Sequence, residues 1–134
     1  MVKRGGGAIV NMSSAAATGG FSPFMYQLSG RVPSASYYVG KAGVDALTRW
    51  MAGHGGEVNI RVNGVRPGQI ITPLTDREGK GEHAFKKLFD VMQIIDGPGY
   101  PVDVANSVLF LSCDESRFIT GEIMNIDGGL PSKL

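Results

Sequence analysis

The sequence predicts an α/β fold, an open parallel sheet of about three strands with flanking helices. Three observations carry that expectation. Short apolar runs at residues 8–12, 60–65 and 122–127 are bounded by glycine, proline or serine and read as strands. Between them lie stretches in which apolar residues recur at helical spacing. A length of 134 residues with 43% hydrophobic and 19% charged positions fits one globular domain, long enough to bury a core without disulfides or a structural metal.

The elements follow in order. Gly7 to Met12 is a buried parallel strand, placed after a glycine cluster and before Ser13 and Ser14. Residues 15–36 carry Gly19, Gly20, Pro23, Gly30, Pro33 and several serines, and read as a long surface loop. A helix is expected from Tyr37 to Ala52, where Val44, Leu47 and Met51 share a face and the glycines from Gly53 onward supply the stop. The second strand, Ile60 to Val65, ends where Pro67 and Gly68 break the ladder. Phe85, Leu88, Phe89 and Met92 mark a short amphipathic helix. Pro101 at a first helical position and Asp103 in the first turn open another, ending near Ser116. Glu122 to Asp127 completes the sheet, so two parallel crossovers are implied.

Composition removes several function classes. With 13 basic and 12 acidic residues the net charge is +1, which supplies no footprint for nucleic acid or an anionic membrane. No apolar run approaches the ~20 residues of a membrane span, and the opening MVKRGGGAIVN lacks a signal peptide's apolar stretch. A single cysteine, Cys113, fits a reducing compartment, so a cytoplasmic location is expected. His54, His83 and Cys113 are too scattered to hold a metal, and none is expected. No G-x-S-x-G elbow supports a serine hydrolase, and Asn11-Met12-Ser13 matches a glycosylation pattern only within a buried strand.

Tyr37 and Lys41 stand four apart at the start of a helix and so share a face. A free phenol has a pKa near 10, and a neighbouring ammonium stabilises its phenolate, a combination suited to general acid–base work. Ser13 or Ser14, at the C-terminal end of the first strand, can donate to a substrate oxygen where negative charge develops. Strand C-termini are the expected site in an open α/β sheet.

Four segments in chain order are more specific than any one of them. They are Asn11-Met12-Ser13-Ser14, Tyr37-Tyr38-Val39-Gly40-Lys41-Ala42-Gly43, Arg66-Pro67-Gly68-Gln69-Ile70-Ile71-Thr72 and Thr120-Gly121-Glu122-Ile123-Met124-Asn125-Ile126-Asp127-Gly128-Gly129. Together they resemble the C-terminal half of the short-chain dehydrogenase/reductase family over nearly the whole chain. The resemblance implies the C-terminal part of a Rossmann-like doubly wound sheet, with residues 1–134 as one partial NAD(P)-binding domain. It implies an oxidoreductase interconverting an alcohol and a ketone by hydride transfer, with NAD or NADP as cofactor. Tyr37 would be the catalytic acid or base, Lys41 would activate it and hold the nicotinamide ribose, and Ser14, rather than Ser13, would orient the substrate oxygen. Pro67, Gly68, Ile70 and Thr72 would meet the nicotinamide and its phosphates, and residues 73–99 would form a substrate lid.

Two departures qualify that expectation. Ser14 and Tyr37 lie 23 positions apart, further than the family's usual gap, which points to an insertion within Gly19 to Ser36 bearing Phe21, Phe24, Met25 and Tyr26. No G-x-G-x-x-G or G-x-x-x-G-x-G spacing occurs among the 20 glycines, so the phosphate-binding loop of dinucleotide folds is missing. The chain therefore reads as an N-terminally truncated enzyme, inactive alone. The alternative is a non-catalytic remnant that associates through its open sheet edge and the helix bearing Trp50, and a homo-oligomer is expected either way. The family's left-handed last crossover would give each face of the sheet a helix.

Overall fold

A computed structural model of the chain describes residues 1–130. Three strands, β1 (Gly7–Met12), β2 (Ile60–Pro67) and β3 (Ile123–Ile126), form one parallel sheet in the order β1-β2-β3. Among the described residues four α-helices accompany it: α1 (Pro23–Ser29), α2 (Ala35–Gly55), α3 (Lys86–Met92) and α4 (Pro101–Ser112). The register runs from Gly7 opposite Ile60 to Met12 opposite Val65, and from Gly64 opposite Ile123 to Pro67 opposite Ile126. The C-terminal ends of all three strands therefore lie along one edge of the molecule.

Successive strand residues face opposite sides, and β2 shows what covers each. Val65 is fully buried in a cluster with Ile70, Val104 and Leu111, against which Val10, Val108, Met124 and Ile126 pack, so this is the α4 face. Its neighbour Arg66 reaches Asp45 of α2 on the other. Each fully buried aliphatic side chain of that cluster contributes about 1.5–3 kcal/mol. Both crossovers advance one strand in the same direction while their helices lie on opposite faces, so they have opposite hands. One of the two departs from the right-handed rule for such units, and the sheet is covered on both sides.

Helix α4 begins as its sequence predicts. Pro101 occupies the first turn, and the Asp103 carboxylate accepts the Tyr100 N–H at 2.6 Å. Its C-terminal carbonyls are met by Arg61 of β2, whose guanidinium donates to the oxygens of Leu111 at 2.9 Å and Cys113 at 3.0 Å. The fully buried Asn63 donates to the Ile119 oxygen and accepts the Glu122 N–H, tying β2 to the entry of β3.

The structure corrects the expected surface loop at residues 15–36. It contains a 3-10 turn at Ala15–Ala17 and the helix α1, capped by Ser22 and opened by Pro23. Helix α2 also begins two residues earlier than expected, with Ser34 as its cap, and runs through Gly53 to Gly55. His54 is thus helical, its ring 4.5 Å from that of Trp50. The chain turns so tightly into β2 that a Cβ on Gly55 would strike the Ile60 carbonyl oxygen.

Between β2 and α4 the chain makes a long excursion whose ends are fastened together. The Ile71 N–H donates to the Gly99 oxygen at 3.0 Å, and the Gly99 N–H to the Gln69 oxygen at 2.8 Å. Within the excursion α3 buries Leu88 and Phe89 and packs against α1. After α3 the N–H groups of Ile94 and Ile95 both donate to the Gly128 oxygen, and the Gln93 side chain donates to the Ile95 and Gly97 oxygens.

Candidate functional site

Tyr37 and Lys41 project from the first turns of α2. Ser34 accepts the Tyr37 N–H and fixes the helix start, which places Tyr37 at the positive end of the helix dipole. The Tyr37 side chain is open to solvent, with the residue 46% exposed. Lys41 Nζ lies 5.8 Å from the Tyr37 ring centroid and donates to the Met12 main-chain oxygen at 3.0 Å. The ammonium is thus held between the tyrosine and the C-terminal end of β1.

The two serines after β1 do different things. Ser13 is buried at 3% exposure, and its hydroxyl donates to the Lys41 main-chain oxygen at 3.1 Å while its N–H pairs with Val65. Ser14 is partly exposed and caps the following 3-10 turn, its oxygen accepting the Ala16 N–H at 3.2 Å. That contact uses Ser14 as an acceptor and leaves its own O–H proton to be directed elsewhere.

Tyr38 stands beside Tyr37 in sequence but in a different setting. Burial, reinforced by the Tyr26 hydroxyl 3.5 Å away, pushes its phenol well above the usual value of 10. It keeps its proton, and it links α1 to α2.

The other predicted residues line the end of β2. Pro67 closes the strand, and the Gly68 N–H donates to the Ile126 oxygen at 2.9 Å. A Cβ on Gly68 would lie 2.6 Å from the Cβ of Asp127, so only glycine lets the ends of β2 and β3 approach this closely. Ile70 is buried and bridges to Gly99. The Thr72 hydroxyl lies 3.0 Å from that of Thr75 and accepts the Thr75 N–H, while Thr75 in turn donates to the Ile70 oxygen at 2.7 Å.

A cavity of about 540 Å³ lies beneath the excursion, lined among others by Gln69, His83, Phe89, Ile95 and Tyr100. His83 is held neutral by burial, its pKa pushed down to about 4, and its Nδ1 accepts the Phe85 N–H at 3.1 Å. Its ring meets Phe89 edge-on at 5.0 Å. The cavity borders Gln69 and Ile71 of the β2 loop, whereas Ser14, Tyr37 and Lys41 lie outside its lining. Among the described residues no cluster of three or more metal-ligating side chains occurs, and no helix is long and apolar enough to cross a membrane.

Beside Tyr37 and Lys41, α2 carries a contact that the sequence does not announce, between Asp45 and Arg66. Arg66 Nε donates to Asp45 Oδ2 at 2.8 Å, and a second guanidinium nitrogen lies 2.6 Å from the same oxygen. The signal available was Asp45 continuing the stripe of Tyr37 and Lys41 at a further four residues. Its partner, 21 positions away, became evident only with the fold.

Residues 1–131 match a family model described as enoyl-(acyl carrier protein) reductase. The chain belongs to the short-chain dehydrogenase/reductase family. A 3-oxoacyl-(acyl-carrier-protein) reductase from Thermotoga maritima is 36% identical over 97% of this chain and 48% of its own length. A short-chain dehydrogenase/reductase from Burkholderia xenovorans superposes with a TM-score of 0.78 at 32% identity, covering 96% of this chain and 44% of that one. The solved structure of a 7α-hydroxysteroid dehydrogenase in complex with NADH and 7-oxo glycochenodeoxycholic acid gives a TM-score of 0.73 at 32% identity, covering 97% of this chain and 46% of that one. The chain thus spans about half the length of the short-chain dehydrogenase relatives it matches.

Proposed function

We propose that the protein is an NAD(P)-dependent oxidoreductase that interconverts an alcohol and a ketone, with Ser14, Tyr37 and Lys41 as its catalytic residues. The observation that carries this reading is the arrangement at the C-terminal end of β1. An exposed tyrosine at a helix N-terminus has an ammonium beside it, anchored on Met12, and a serine hydroxyl follows the same strand. A nicotinamide, when bound, supplies the hydride chemistry. In the reducing direction the Tyr37 hydroxyl gives its proton to the ketone oxygen, and in the oxidising direction its oxygen takes the proton of the alcohol. Lys41 holds positive charge where the phenolate forms, and the Ser14 O–H donates to the substrate oxygen as it gains negative charge.

What the chain offers a cofactor fits the nicotinamide end. Lys41 and Tyr37 stand ready for a ribose hydroxyl, and Pro67, Gly68, Ile70 and Thr72 form the loop at the neighbouring strand end. The cofactor is NAD or NADP. The phosphate-binding glycine pattern is absent from the 20 glycines, so we read the chain as the catalytic and substrate-binding half of a larger unit, inactive by itself. Residues 73–99 serve as the substrate lid, and the apolar Phe85, Leu88, Phe89 and Met92 that they carry suit a hydrophobic alcohol or ketone.

A second reading, association without catalysis, is favoured by the exposure of Leu47 and Trp50 on α2 and by β1 standing at the edge of the sheet. In the first reading the same surface joins copies of the enzyme. Absorbance assays of the full-length protein with NADH and NADPH across a panel of cyclic and aliphatic ketones test the two. Substrate-dependent cofactor oxidation supports the oxidoreductase, and its absence together with absent cofactor binding favours the association module.

A further inference from the structure

Helix α2 carries Tyr37 and Lys41, yet what fixes it on the sheet is unusual for a helix–sheet contact. Its buried residues are Asp45, Thr48, Ala52 and Gly55, and none is a large apolar side chain. Small and polar surfaces interdigitate poorly, so apolar packing alone sets the register of such a helix weakly. Polar contacts take that role instead. Lys41 Nζ donates to the Met12 oxygen, Ser13 Oγ donates to the Lys41 oxygen, and Asn11 Nδ2 donates to Thr48 Oγ1 at 3.0 Å. Those three all join α2 to β1 or its end. The Asp45–Arg66 ion pair joins α2 to β2, one residue before the Pro67–Thr72 loop begins.

Stability is a weak reason for this pair. Asp45 is 3% exposed, and its second oxygen, Oδ1, is buried with no hydrogen-bond partner among the described residues. A buried pair with an unsatisfied carboxylate oxygen is commonly matched or bettered in stability by apolar residues of similar volume. What a directional, short-range pair supplies and an apolar contact does not is a single permitted register. The Arg66 guanidinium meets one oxygen through two nitrogens at 2.6 and 2.8 Å, so rotation of α2 by a fraction of a turn breaks both contacts.

We propose that Asp45 and Arg66 are positioning residues whose buried ion pair sets the register of α2 against β2, and with it the placement of Tyr37 and Lys41 relative to the Pro67–Thr72 loop. The functional half of this inference rests on the oxidoreductase reading above. Asp45, Lys41 and Tyr37 occupy one helical stripe at intervals of four residues, so a shift at Asp45 is carried along the helix to both.

The test compares wild type with the apolar pair D45L/R66M and with R66K, which keeps the charge but not the fork. Three quantities are measured on the full-length protein: the melting temperature, the nuclear Overhauser contact between the Lys41 side chain and the main chain of Met12 and Ser13, and kcat with the substrate KM. The expected result is that D45L/R66M melts close to wild type, loses the Lys41–Met12 contact and drops kcat by about tenfold or more with little change in KM, with R66K intermediate. Retention of the Lys41–Met12 contact in a folded D45L/R66M, or kcat within about twofold of wild type, overturns the inference. Failure of both variants to fold also overturns it, because the pair is then a structural support. Should wild type show no nicotinamide turnover, the oxidoreductase reading falls, while the Lys41–Met12 contact still decides whether the pair sets the register.

Discussion

The Lys41 ammonium donates to the Met12 main-chain oxygen at 3.0 Å while standing 5.8 Å from the centroid of the Tyr37 ring. One hydrogen bond therefore ties the charge beside the candidate acid to the end of β1, where the backbone is held rigidly by the ladder to β2. In the proposed enzyme, Lys41→Met removes the charge and the anchor together. The expected outcome is a fall in kcat of about 10²-fold or more and weaker cofactor binding, read from steady-state kinetics on the full-length protein. Lys41→Arg, whose planar head does not reproduce the ammonium's point contact, recovers only part of the loss.

Gly68 is held within reach of Asp127, and a Cβ there would lie 2.6 Å from the Asp127 Cβ and 2.7 Å from its Cα. Both are short-tethered atoms at the ends of paired strands and have little room to give. Gly68→Ala is expected to destabilise the fold by about 1–3 kcal/mol, an overpacking cost, visible as a lower melting temperature in calorimetry. An unchanged melting temperature would show that the ends of β2 and β3 separate without cost.

His83 makes the excursion sensitive to acid. Burial lowers its pKa from about 6.5 in the unfolded chain to about 4 in the fold, so between these values the unfolded state binds more protons. Its contribution to stability is complete above about pH 6.5, falls as pH drops through that window, and levels off below about pH 4. Protonation at Nδ1 also removes the acceptor of the Phe85 N–H. Nuclear magnetic resonance should show the His83 ring neutral at pH 5 to 6, with the Phe85 amide shifting only as pH approaches about 4. A midpoint near the ordinary histidine value would contradict the burial.

Much of the frame was legible because its signals are local. The strand runs, the Pro101 and Asp103 start of α4 and the Tyr37–Lys41 spacing each depend on residues a few positions apart. Helix α1 was hidden although its Ser22 cap and Pro23 start were present, because the surrounding glycines, serines and prolines outweighed seven helical residues. The stop of α2 was placed too early since Gly53 lies within the helix, whose end is set by the close contact of Gly55 with Ile60. The pairs that join distant elements had no local signal. Asp45–Arg66, Asn11–Thr48 and the Gly128 oxygen that takes the N–H groups of Ile94 and Ile95 arise from topology.

The 134-residue chain by itself is expected to show little saturable binding of NADH or NADPH in titration calorimetry, since it lacks a glycine-rich phosphate loop. Micromolar binding would place the dinucleotide site within these residues.

In the proposed enzyme Tyr37, and not its neighbour Tyr38, moves the proton. The two phenols differ in setting, one exposed beside Lys41 and the other half-buried against Tyr26. The decisive measurement is kcat of the full-length protein with a reducible ketone for wild type, Tyr37→Phe and Tyr38→Phe. A loss of about 10²–10⁴-fold is expected for Tyr37→Phe, and a change of only a few-fold for Tyr38→Phe. Wild-type turnover by Tyr37→Phe would contradict it.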